Sequence, residues 1–346
     1  MRCEMGDGRW GSSLVLSVVL LSSCAPQSQP ATIPAVVVPP RTPVVSAPAP
    51  APARPTEGEI DGGAGKLWYH VVGRGPDTVI VPLGTWLERA LSTLGATHTV
   101  VFYDPRHRGR SHALSDSLQA TFDGDVDDLE AVRGAIGASR VAVIGYDYYS
   151  AVAAAWAAAH PQAVSRLVLL SPIEPADSLA RSWNPPERTA RIDTTAARAL
   201  VKARAAGRDT SDAARYCEEF WNVNARLFVG DTARANDVRA DWCQLFNESP
   251  ARVAAAAQGA LASLGAPIDF GARAHGVSVP TLVMHGRLDL VANPEGAREW
   301  TRRIPGARLL WLSNVGHLPH IEAASIVVDA INDFLAGGWP PRAGPP

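Results

Sequence analysis

Val141-Ala142-Val143-Ile144-Gly145-Tyr146-Asp147-Tyr148-Tyr149-Ser150 runs directly into the alanine-rich stretch from Ala151 to Pro161 (AVAAAWAAAHP), and the reading of these residues decides the fold. Val141 to Ile144 is a short apolar run suited to a buried strand, and Ala151 to His160 has the composition of a helix. Gly145 to Ser150 must therefore turn the chain between them, and a strand, a sharp turn and a helix are the setting of a nucleophile elbow. Gly145 stands two residues before the apex, where a side chain would meet the returning helix. The apex itself is Asp147, so the turn offers a carboxylate where such turns ordinarily carry serine.

Working outward, Lys66 to Val72 and Thr78 to Val81 read as strands separated by the turn Gly73-Arg74-Gly75-Pro76, and Thr99 to Tyr103 as a third. Trp86 to Leu94 has helical spacing, and Val126, Leu129 and Val132 share one helical face. Beyond the elbow come strand Arg166 to Leu170, strand Thr281 to His285, helix Pro294 to Ile304, strand Ala307 to Leu312 and helix Ala323 to Leu335. Alternation of this kind predicts the α/β class, a mainly parallel sheet with helices on both faces. The alternation is interrupted over 174–276 by a segment rich in Ala, Arg and Asp with almost no β-branched runs, which predicts an inserted helical cap. The core is then expected over 57–173 and 277–338, with a flexible tail over 339–346. Trp183, Phe220, Trp221, Phe228 and Trp242 lie in the cap, as core fillers or as pocket walls.

The chain has 346 residues, 47% of them hydrophobic and 19% charged, and a formal net charge of −2, which predicts a large core and gives no footprint for nucleic acid. Leu14 to Leu21 (LVLSVVLL) is too short to span a bilayer but suits a signal-peptide core after Arg2 and Arg9, with Met5 as an alternative start past the acidic Glu4. Leu21-Ser22-Ser23-Cys24 resembles the lipobox of bacterial lipoproteins, which implies a signal over 1–23, lipid on Cys24 and anchoring to a membrane of the cell envelope. A plain secretory signal is the alternative, and both imply export. Residues 24–56, mostly Pro, Ala, Val and Ser, read as a semi-extended tether. Export leaves Cys217 and Cys243 as a pair in an oxidising compartment, so a disulfide is expected between them. No Cys or His spacing suggests a metal, and no cofactor is expected.

Asp147 at the elbow, Asp289 in Gly286-Arg287-Leu288-Asp289 and His317 in Gly316-His317 stand in the order nucleophile, acid, histidine, each after a predicted strand. Catalytic groups of open α/β sheets gather at that edge. With Tyr103-Asp104-Pro105-Arg106-His107-Arg108-Gly109-Arg110-Ser111, similar to a DxRGxGxS loop, these motifs make the chain resemble the α/β-hydrolase superfamily over most of 57–338. Within it, Cys217 to Trp221 (CEEFW), Cys243 to Pro250 (CQLFNESP) and Glu295 to Ile304 look like proline iminopeptidase-like hydrolases, which use serine. Asp147-Tyr148 instead resembles the elbow of epoxide hydrolases and haloalkane dehalogenases.

A carboxylate that attacks an ester or amide carbonyl forms a mixed anhydride, uphill from its substrate. Displacement at a saturated carbon bearing halide or epoxide oxygen gives an ordinary ester. The resemblance with Asp147 therefore implies attack on carbon in a small organic substrate, followed by ester hydrolysis with water activated by His317, which Asp289 orients. The backbone near Thr85 and the Tyr148 N–H would serve as oxyanion or leaving-group donors. The Trp86 indole could reach a halide, and Tyr216 is the one cap tyrosine able to serve an epoxide oxygen, where the family uses two. Tyr149 stands where the family keeps a small residue, a role that passes to Ser150. Asp104 and Arg106 are expected to form a buried ion pair. His320 is a weaker rival to His317, and Glu174 to Asp289. His107, His112 and His160 are expected in loops or at the surface. Two other readings stay open: a binding protein whose nucleophile was lost, and hydrolysis with Asp147 and His317 as general bases for water. The substrate and the oligomeric state are not legible.

Overall fold

The computed structural model describes residues 56–113, 119–238 and 241–345. The expected signal, the lipidation site Cys24 and the tether up to residue 55 lie outside the described residues. Eight strands form one sheet: β1 (Thr56–Asp61), β2 (Lys66–Val72), β3 (Thr78–Pro82), β4 (Thr99–Tyr103), β5 (Val141–Tyr146), β6 (Val164–Leu170), β7 (Thr281–Gly286) and β8 (Arg308–Leu312), in the order β1-β2-β4-β3-β5-β6-β7-β8. β1 and β2 run antiparallel, and every pair from β4 to β8 is parallel. The α/β prediction is thus met. The parallel strands are nearly continuous apolar runs because both of their faces are covered; all six residues of β5 are buried.

Strand β1 was not foreseen. Its sequence, TEGEID, has one apolar residue, Ile60, which stands opposite Leu67 of β2. It forms because an edge strand needs one good face and backbone pairing, not an apolar run. Its first residue, Thr56, belongs to the strand and not to the tether expected over 24–56. The end of the chain also departs from expectation. Instead of a free tail, Trp339 packs on Phe334 and Gly344 exchanges backbone hydrogen bonds with Leu309 of β8.

Helices α1 (Gly84–Leu91), α2 (Phe122–Ala135) and α3 (Tyr148–Ala159) precede β6. Between β6 and β7 lie α4 (Asp177–Ser182), α5 (Pro186–Ala190), α6 (Thr194–Ala205), α7 (Arg208–Ser211), α8 (Ala213–Phe228), α9 (Pro250–Ser263) and α10 (Phe270–Arg273). After β7 come α11 (Pro294–Arg303), α12 (Pro319–Glu322) and α13 (Ala324–Leu335). The segment between β6 and β7 is helical, and it has its own small core of Leu200, Tyr216, Phe220, Trp221 and Trp242, closed by a Cys217–Cys243 disulfide with Cα atoms 5.5 Å apart. Glu248 pins it to the sheet domain: the carboxylate accepts from Trp86 Nε1 (2.9 Å), Arg108 Nε (2.9 Å) and the Gly109 N–H (2.7 Å).

The expected pairing of Asp104 with Arg106 does not occur. Arg106 grips Asp128 of α2 through Nε (2.8 Å) and a second guanidinium nitrogen, while Asp104 accepts from the Thr85 and Arg110 amides and the Thr85 hydroxyl. Each finds a partner from another element, Asp128 of α2 for Arg106 and Thr85 of α1 for Asp104. Arg106→Ala would leave the Asp128 carboxylate buried without its cation and is expected to cost about 3 kcal/mol. Urea unfolding at unchanged slope would read this loss, and a midpoint within error of the parent would contradict it.

Candidate active site

β5 ends at Tyr146 and α3 begins at Tyr148, so Asp147 alone makes the turn, at φ 51° and ψ −126°. An L-residue holds this conformation only where its surroundings impose it. Here the Asp147 N–H donates to the Leu170 carbonyl of β6 (3.1 Å), the Ser150 N–H donates to the Asp147 carbonyl (3.0 Å), and Ser150 Oγ donates to the Gly145 carbonyl (2.9 Å). Ser150 does take the small-residue place against the strand.

The loops that carry the other two residues lie back to back. A Cβ at Gly286 would come within 2.1 Å of the Gly316 carbonyl oxygen, so both positions need their bare backbone. The His317 N–H donates to the carbonyl of Phe228 at the end of α8 (2.7 Å), and the Glu322 carboxylate accepts from the amides of Gly316 (2.8 Å) and Gly230 (2.7 Å). The cap thus holds the histidine loop directly.

The structure brings the three expected residues together. His317 Nδ1 lies 2.8 Å from Asp289 Oδ2, and Nε2 lies 3.5 Å from Asp147 Oδ1. Asp289 also accepts from the amides of Val291 (2.8 Å) and Ala292 (3.0 Å), and His285 Nε2 lies 3.2 Å from its Oδ2. Burial alone would lower the His317 pKa, but Asp289 and Asp147 outweigh it and raise it to about 10. Burial likewise pushes the Asp289 carboxyl up, and His317 more than reverses this, leaving it below the usual range. In the resting protein the ring is a cation between two carboxylates. Burial, opposed by Asp289, lowers His285, which stays neutral.

The rivals lie elsewhere. Glu174 accepts from the Asn293 N–H (2.6 Å), and His320 sits edge-on to Tyr146 with ring centres 4.9 Å apart. Burial, then the charge on His317, drives the His320 pKa down to about 3, so it stays neutral. His112 is exposed, His160 is half-buried just past α3, and His107 lies buried in the loop after β4, so all three are in loops or at the surface as expected.

A cavity of about 470 Å³ opens over Asp147 and His317 beneath the cap. Phe220, Trp221, Phe228 and Trp242 line it; Trp183 does not. Tyr216 faces it from the cap, as expected.

Two expected donors are excluded. The Thr85 N–H donates to Asp104 Oδ1 at 2.8 Å, and Trp86 Nε1 to Glu248 Oε2 at 2.9 Å, so neither is free to meet a leaving group. Trp86 does line the cavity, with its ring stacked on Trp242 at 4.3 Å. The reason lies in α1. Leu83 adopts a left-handed conformation (φ 63°) and starts the helix at Gly84, two residues earlier than expected, which turns the Thr85 amide toward Asp104. The Tyr148 N–H, at the first position of α3, has no intrahelical partner.

Asp125 was not foreseen as part of the site. It lines the cavity from α2 and accepts from the Tyr148 hydroxyl at 2.9 Å. Burial, reinforced by Asp128, raises its pKa to about 7 in spite of Tyr148, Arg106 and Arg108.

A family model described as the alpha/beta hydrolase fold matches residues 82–324. No curated protein matches the chain. Among solved structures, the enol-lactonase from Burkholderia xenovorans is similar at 23% identity, covering 81% of this chain and 100% of its own with a TM-score of 0.61. A thermophilic esterase from Thermogutta terrifontis is similar at 20% identity, over 81% of this chain and 98% of its own, with a TM-score of 0.59. The 2-hydroxy-6-oxo-6-phenylhexa-2,4-dienoate hydrolase from a Rhodococcus species is 16% identical over 82% of this chain and 99% of its own, with a TM-score of 0.63. At these identities the likeness is one of fold.

Proposed function

The chain belongs to the α/β-hydrolase fold family, and from that premise we propose that it is a hydrolase whose nucleophile is the Asp147 carboxylate, acting at a saturated carbon of a small organic electrophile. One observation carries the reading: the apex of the elbow is a carboxylate, 3.5 Å from a histidine whose other nitrogen is held by a buried aspartate. The names of the similar structures include a lactonase and an esterase, but their carbonyl substrates do not transfer. An aspartate would form an anhydride from them, and the Thr85 amide that would steady a carbonyl oxyanion is engaged by Asp104.

In the proposed first step an Asp147 oxygen attacks carbon, the bond to the leaving group breaks with its electron pair, and an alkyl ester of Asp147 forms. That step removes one of the two negative charges that hold the proton on His317. Its pKa falls, the proton is released, and Nε2 becomes a base. Nε2 then takes a proton from water as the hydroxide oxygen attacks the ester carbonyl. The alcohol leaves, and the carboxylate and imidazolium are restored. Asp289 holds the ring throughout.

His317→Gln is expected to keep alkylation and to slow ester hydrolysis by about 10²–10⁴-fold. Intact-mass measurement after incubation with an epoxide and haloalkane panel should show the substrate-derived increment, localised to the peptide that contains Asp147. No increment on a variant whose parent turns the compound over would sink the reading. The reading places the enzyme in the bacterial envelope, lipid-anchored through Cys24. The Cys217–Cys243 disulfide supports export to an oxidising compartment.

A further inference from the structure

Back-side displacement puts the leaving atom on the side of the carbon away from Asp147. His317, held against the nucleophile at 3.5 Å, is on the wrong side to protonate it. A halide departs without a proton. An alkoxide must receive one, and the cap offers only Tyr216 as a phenol facing the cavity.

The core offers another. Tyr148 follows the nucleophile, lines the same cavity, and reaches across to α2, where its hydroxyl meets Asp125 at 2.9 Å. Asp125 is set apart from its acidic neighbours. Asp128 is gripped by Arg106 and Glu248 by Arg108, whereas the Asp125 carboxylate accepts from the Tyr148 phenol. We propose, resting on the aspartate-nucleophile reading above, that Tyr148 is the acid that protonates an oxygen leaving group, with Asp125 behind it as the proton reservoir, and that the substrate is therefore an epoxide.

The protons balance. The ring C–O bond breaks with its pair on oxygen, that oxygen takes the Tyr148 proton, and Tyr148 takes the carboxyl proton of Asp125. His317 must now lose one proton to become a base, and Asp125 must regain one. The two exchange it through water, and ester hydrolysis returns His317 to its cationic form, so epoxide and water give a diol with no net proton change.

The surroundings suit a carboxyl that changes state near neutrality. Burial and Asp128 raise its pKa, while Arg106 and Arg108 from the loop after β4 and the Tyr148 hydroxyl lower it, to about 7 overall. Tyr149 of α3 also faces it, and α9 presents only apolar residues and Gln258 to the cavity. The acid form is lost as pH rises through that value.

The test measures ester formation on Asp147 by mass, in a His317→Gln background. Styrene oxide, cyclohexene oxide and 1,2-epoxyoctane are compared with phenethyl bromide, bromocyclohexane and 1-bromooctane. Epoxide-derived ester is expected to form more slowly above about pH 7, to slow by about 10²-fold or more in Tyr148→Phe, and to lose its pH dependence in Asp125→Asn. Tyr148→Phe keeps the ring that packs on Phe122 and Phe270, so the fold is expected to survive. Epoxide-derived ester formed at an unchanged rate in Tyr148→Phe overturns the proposal, and so does ester from bromides alone. Both outcomes leave the aspartate nucleophile standing. Ester from neither series overturns that reading and this proposal with it.

Discussion

Asp147→Ala is expected to lower turnover of any true substrate by about 10⁴-fold or more, because no neighbouring group can replace a carboxylate that forms the covalent intermediate. The fold should tolerate the change. The Asp147 side chain is 37% exposed, its partner is His317, and the turn is closed by backbone and Ser150. Its loss removes one of the two charges that keep His317 protonated, so the histidine pKa should fall from about 10. NMR titration of the imidazole would record this beside the kinetics. Turnover within tenfold of the parent would show that the carboxylate is not the nucleophile. Asp147→Ser should not become an efficient esterase, since the Thr85 amide still faces Asp104.

The second large effect concerns the glycine before the apex. A Cβ at Gly145 would lie 2.4 Å from the Tyr149 carbonyl oxygen, 2.7 Å from Ser150 Cα and 2.9 Å from Ser150 N. All three are backbone atoms, so no rotamer change relieves the clash; α3 must move off β5. Gly145→Val is expected to cost more than about 4 kcal/mol and to lower the melting temperature by about 10 °C, with Asp147 displaced from His317. Gly134→Ala in α2, where a Cβ meets nothing within 4 Å, is the control and should be neutral or slightly stabilising. A Gly145→Val protein as stable as the control would mean that the elbow is looser than its contacts imply.

Much of the sheet was legible because parallel strands covered on both faces must be apolar runs, and runs such as Arg166 to Leu170 are too short for helices. The order of Asp147, Asp289 and His317 was legible for a related reason: each follows a strand, and the topology carries them to one edge. What failed was local geometry. Nothing in VPLGTW announces that Leu83 will be left-handed, yet that one dihedral angle decides where the Thr85 amide points. Long-range partners were also hidden. Arg108 and Glu248 stand 140 residues apart, and Asp125 lies in an acidic stretch, FDGDVDDLE, that gives no sign of which carboxylate faces the cavity.

The two borders of the sheet are guarded in different ways. β1 carries Glu57, Glu59 and Asp61 on one face, so a second copy laid alongside would bring like charges together. At the opposite border, the Leu309 N–H donates to the Gly344 carbonyl at 2.7 Å and the Gly344 N–H returns the bond at 3.1 Å, so the last residues close β8 as a latch. One border repels and the other is bolted, so the sheet resists the addition of strands from a neighbouring copy.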